Sequence, residues 1–245
     1  MLLPCKLCGL SYPKLAKAHI IPRSFYGTTT NSDDGPSRIL STKSFLRSPR
    51  SRIGEYDEKI VCAECEKYFA KLDNYAHRLL YEDTPKKIIH NNKHLVDHYD
   101  SFDQEVFRQF VLSILWRMDT TERSAFDSVK LRAFQPKVAD AVKNRDSTRA
   151  PFVDAIISRF EGPNSDIIIF PTRLRIKGVN GYRICFAKHS CWFTVDQRPL
   201  PSPFMELSIS KYDFLRVLRR DFRNSPELRA IEEMVQRSEH LTKKN

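Results

Sequence analysis

At 245 residues the chain can bury one large core or two smaller ones, and none of its uncharged apolar runs approaches the roughly 20 residues that cross a bilayer. The start MLLPCKLCG has no apolar stretch of the length a secretory leader needs, which predicts a cytoplasmic chain with no membrane partner. An excess of 41 Lys+Arg over 30 Asp+Glu, formally +11, favours a polyanionic partner without identifying one.

In chain order, a first CxxC pair, Cys5 and Cys8, is followed by LAKAHIIPRSFYG, which contains His19 and Arg23. From Ser37 to Gly54 the chain carries Arg38, Lys43, Arg47, Arg50 and Arg52 with no acid among them, and it reads as an exposed basic loop or a short strand pair. The run YDEKIVC leads into a second pair, Cys62 and Cys65. After it, Phe69, Leu72, Ala76 and Leu79 repeat at the spacing of an amphipathic helix that Pro85 ends. On that helix Glu66, Asp73 and His77 form a polar stripe, with Asp73 and His77 expected to be a surface pair.

Polar, histidine-bearing residues 86–100 read as a linker, with His90, His94 and His98 part of its polarity. FDQEVFRQFVLSILWRMD then predicts a deeply buried helix at the centre of a second core, because its apolar residues cover most of the helix circumference. Two further helices are expected near Thr121 to Asn144 and Pro151 to Phe160. A meander of three strands follows in DIIIFPTRLRI, YRICFAKH and CWFTVD, and helices in YDFLRVLRRDF and PELRAIEEMVQRSEHL. Trp116, Trp192, Cys185 and Cys191 read as core residues. The predicted class is α+β, with units at 1–85 and 101–245 joined by 86–100.

A reducing compartment leaves metal or burial to explain six cysteines, and two CxxC pairs are tight enough for four thiolates to complete a tetrahedron around one structural Zn²⁺. Cys5, Cys8, Cys62 and Cys65 are the predicted ligands.

The succession of CxxC, AHIIP, YDEKIVC and CxxCE before a helix resembles the HNH endonuclease family over about residues 1–80. The resemblance implies a ββα-metal, treble-clef-like core braced by the four zinc cysteines. It implies that His19, at the end of the first strand, is the general base that activates water against a phosphodiester. Asp57 stands where the family usually has asparagine, five residues before the third cysteine, and Glu66 where it usually has histidine, directly after the fourth. With these goes a catalytic Mg²⁺ or Mn²⁺, to which a carboxylate at Glu66 offers a hard oxygen ligand. Arg23 falls near the scissile phosphate, and Arg38, Lys43, Arg47, Arg50 and Arg52 are phosphate contacts.

The implied activity is metal-dependent hydrolysis of nucleic acid, DNA foremost, as in restriction and phage-defence effectors. Residues 101–245 are then left for target recognition, a protein partner or homo-oligomerisation. The departures at Asp57 and Glu66 keep a second reading open: a catalytically inactive zinc module that binds nucleic acid or a partner protein.

Overall fold

The computed structural model describes residues 2–27, 38–40, 54–91, 93–163, 165, 167–186 and 188–233. The expected basic contacts Lys43, Arg47, Arg50 and Arg52 lie outside them. The chain is mixed α+β. A hairpin, β1 (Leu3–Pro4) and β2 (Ser11–Tyr12), carries the first cysteine pair in its turn. Next come β3 (Ala18–His19), the single turn α1 (Ser24–Gly27), β4 (Arg38–Leu40) and β5 (Tyr56–Asp57). β3 and β5 pair antiparallel, with Ala18 opposite Asp57 and His19 opposite Tyr56.

Helix α2 (Ala63–His77) starts immediately after Cys62 and widens into a π-helical turn at Arg78–Glu82. It buries Phe69, Leu72, Ala76 and Leu79, the four residues whose spacing predicts it.

Residues 86–100 are not a linker. They form a hairpin, β6 (Lys86–His90) and β7 (Lys93–Tyr99), at one end of an eight-stranded sheet. Lys86 and Lys87 sit on the exposed edge strand β6, where lysines are common because they discourage edge-to-edge pairing. α3 (Gln104–Thr120) follows, capped by the Asp103 carboxylate, which accepts from Val106 N–H at 3.0 Å. As its composition predicts, it is buried on most sides, from Phe107 to Met118.

The helix expected from Thr121 to Asn144 is shorter. Two 3₁₀ turns precede α4 (Gln135–Asn144), whose proline lies in the first helical turn, where its missing N–H costs nothing. The expected helix at Pro151 to Phe160 is a strand, β8 (Val153–Glu161). Both its faces are buried, so it has no polar alternation to mark it as a strand.

β9 (Ile167–Ile176), β10 (Val179–Phe186) and β11 (His189–Val195) form the predicted antiparallel meander. YDFLRVLRRDF contributes β12 (Leu215–Asp221) rather than a helix. It inserts between β7 and β8, with Leu215 and Val217 buried. Residues 226–233 are helical, α5.

The sheet order is β4-β9-β10-β11-β8-β12-β7-β6, with β4∥β9 and β12∥β8 as its parallel pairs. On one face a single core runs without a break from Cys5 and Ile20 through α2 and α3 to Val217, so the expected units 1–85 and 101–245 share it. On the other face Leu228 and Ile231 of α5 cover Phe160 and Ile167, while Phe204 and Leu207 cover Ile156 and Trp192. Trp116, Cys185 and Cys191 are buried, as expected. Among the described residues, no helix is long and apolar enough to cross a membrane.

Candidate active site

The four cysteines predicted to act together do converge: their sulfurs all lie within 4.8 Å of one another. Gly9, at φ +81°, allows the sharp turn after the first pair, where Gly9 N–H donates to Cys5 C=O at 2.9 Å. Lys6 N–H donates to Ile60 C=O at 2.9 Å and Cys62 N–H to Cys5 Sγ at 3.3 Å, which lays the first pair against the second. All four are free thiols, with Cys5 to Cys65 and Cys8 to Cys62 sulfur separations of 3.8 and 3.9 Å. A tetrahedron with metal–sulfur bonds of about 2.3 Å has edges of about 3.8 Å, so the cluster is compatible with a structural metal ion. Burial first, then the neighbouring sulfurs, push the Cys65 thiol up, a crowding that a dication relieves.

The cluster fixes the start of α2, and α2 brings Glu66 to His19. Glu66 sits one turn into the helix, its N–H bonded to Cys62 C=O at 3.0 Å. Burial raises its carboxyl; Arg117 opposes this, Asp73 adds to it, and a hydrogen bond from the His19 backbone N–H opposes it again. Glu66 Oε2 is buried without a hydrogen-bond partner. His19 is half-buried, its ring 6.2 Å from that of Tyr56 on the paired strand. Lys17 and Arg123 lie over the Tyr56 ring at 3.7 and 5.6 Å, so the surface beside His19 is cationic.

Asp57 does not join them. Neighbouring residues of a strand point to opposite faces, and Asp57 is paired with Ala18 while His19 is paired with Tyr56. Its Oδ2 accepts from the Thr121 hydroxyl at 2.6 Å and its Oδ1 from Lys59 N–H at 2.9 Å. Burial would raise this carboxyl, but the hydrogen bonds from Thr121, Lys59 and Glu122 outweigh it and hold it below the usual range. Its role here is to tie β5 to the end of α3.

Asp73 is not a surface residue either. It is 8% exposed and receives both ends of the Arg117 guanidinium, Nη2 to Oδ1 at 2.7 Å and Nη1 to Oδ2 at 3.0 Å. Arg117 is 0% exposed and also donates to His19 C=O at 2.8 Å, Ser113 Oγ at 3.1 Å and Ser113 C=O at 3.3 Å, so all five of its N–H groups are used. His77 stacks on Tyr81 and meets Glu82 at 3.3 Å, apart from the site.

No family model, no curated protein and no solved structure matches this chain. Its reading therefore rests on its own geometry. Arg23 is exposed just before α1, four residues beyond His19, and Arg38 lies on β4 beside β9. Arg117, Thr121 and Ser113 are the residues that sequence reasoning missed. A charged residue inside the apolar run FVLSILWRM was the available signal, since an arginine there needs a buried partner.

Proposed function

We propose that this protein is a metal-dependent endonuclease acting on nucleic acid, DNA foremost, whose N-terminal part is a zinc-braced ββα-metal unit of treble-clef type with His19 and Glu66 as its working pair. The observation that carries the reading is the hydrogen bond from the His19 backbone N–H to the Glu66 carboxylate, whose Oε2 is buried and without a hydrogen-bond partner. That oxygen suits a hard divalent cation, Mg²⁺ or Mn²⁺, which when bound would stabilise charge on the phosphate and the leaving oxygen.

His19 accepts a proton from water as the water oxygen bonds to phosphorus and the bond to the leaving oxygen breaks. Glu66 would hold the cation. Lys17, Arg23 and Arg123 attract the strand, and Arg117 keeps the His19 backbone against α2. Zinc on Cys5, Cys8, Cys62 and Cys65 would fix the helix start from which Glu66 projects.

Zinc-loaded protein incubated with plasmid and single-stranded substrates in Mg²⁺ or Mn²⁺ tests this. Cleavage should fall by about a hundredfold or more in His19→Ala and in Glu66→Gln at unchanged zinc content. Wild-type protein that cleaves none of these substrates overturns the nuclease. The positions of Asp57, turned to the far face, and Asp73, neutralised by Arg117, favour the second reading. In it the same unit binds nucleic acid without cutting, and salt-sensitive binding without cleavage is its signature.

A further inference from the structure

The sheet carries a second cationic site, far from His19 in sequence. In β9 the register shifts opposite Arg183 and Cys185: Cys185 pairs with Ile169, but Arg183 pairs with Thr172. The extra residue reverses the alternation of the strand. Arg173, which would otherwise share the face of Ile169, comes to lie opposite Tyr182, and Arg175 follows it two residues on.

Facing these arginines is the segment that leads into α4. Tyr182 Oη donates to Lys130 C=O at 2.8 Å and accepts from Lys130 N–H at 3.1 Å, while Asp119 accepts from Leu131 N–H at 2.7 Å. Arg132 is held at φ +51°, a conformation that side-chain-bearing residues rarely adopt.

Between strand and segment lies a cleft of about 510 Å³, lined by Lys130, Arg132, Arg173 and Arg175 and by no aspartate or glutamate among the described residues. Arg173 Nε donates to Ser128 C=O at 3.1 Å and Arg175 Nε to Gly178 C=O at 3.2 Å, so carbonyls, not carboxylates, anchor both guanidiniums. Arg132, Arg173 and Arg175 around one concavity repel each other, Asp119 offsetting charge on Lys130, and an anion relieves that repulsion. The planar arginine fork matches phosphate, Phe134 adds apolar wall for a base, and the volume is that of a nucleotide-sized ligand.

We propose that this cleft binds a nucleotide phosphate, carried either by a single nucleic-acid strand or by a free nucleotide. The proposal does not require His19 and Glu66 to be catalytic.

Fluorescence anisotropy with a labelled single-stranded oligothymidylate, and calorimetric titration with ADP, test it on the full-length protein at low salt. Arg173→Ala/Arg175→Ala should weaken binding by about tenfold or more, and for the strand should flatten the slope of log affinity against log salt by about 1.4 for two lost contacts. Lys87→Ala/Lys93→Ala removes the same charge at the other end of the sheet, and it should change affinity by less than about twofold. Thermal melts check that each variant is folded. An effect on the oligonucleotide alone identifies a strand, and an effect on ADP identifies a free nucleotide. Wild-type protein that binds neither, or equal weakening by the two double variants, overturns the proposal.

Discussion

The Glu66 carboxylate reaches the His19 backbone amide from the first turn of α2, while β3 turns the His19 side chain to the Tyr56 face. One residue away, parity sends Asp57 to the opposite face, so its nearness to the second cysteine pair in sequence gives it a structural role. His189 shows burial acting on a single group. It is 1% exposed, its Nδ1 is 3.0 Å from the Tyr81 hydroxyl, and burial, then Arg159 and Lys188, lower its pKa from 6.5 to about 3. The folded protein keeps the ring neutral while the unfolded chain takes a proton below about 6.5. Its contribution is therefore complete above that pH and is lost as pH falls toward about 3. Chemical denaturation of wild type and His189→Gln should show wild type losing about 1.6 kcal/mol more than the variant between pH 6.5 and 5, since each fully titrated unit is worth about 1.4 kcal/mol and the unfolded ring is half protonated at pH 6.5. Parallel losses in both proteins would contradict this assignment.

Among the elements, α3 organises the candidate site without lining it. Arg117 and Thr121 lie one turn apart on one side of the helix; the first holds Asp73 and the His19 carbonyl, the second Asp57. A buried ion pair contributes little net stability over an apolar pair, but removing one partner strands the other charge. Arg117→Met should thus cost about 3–5 kcal/mol in urea unfolding, and Arg117→Met/Asp73→Leu should recover most of that. A single-variant loss under about 1 kcal/mol would show that the clamp is dispensable.

For the molecule as a whole, the shared core and the contacts of α3 join what composition divides. The contact from Arg117 to His19 spans 98 residues and that from Thr121 to Asp57 spans 64. A fragment of residues 1–100 loses both donors and should show no cooperative thermal transition even with excess zinc; a sharp, zinc-dependent melt would restore the sequence-based boundary near residue 85. The sequence by itself determined the four-cysteine cluster, helix α2, the burial of α3 and the β9 to β11 meander. Each depends on short spacings or local periodicity that neighbouring residues carry. Only the tertiary structure decided that 153–161 and 215–221 are strands, that 86–99 is a hairpin and that Asp57 faces away from His19. It also decided that Arg117 closes the site and that a bulge turns Arg173 and Arg175 into one cleft. Those outcomes depend on partners tens of residues distant, and a local pattern holds no record of which partner a buried strand or a buried charge will meet.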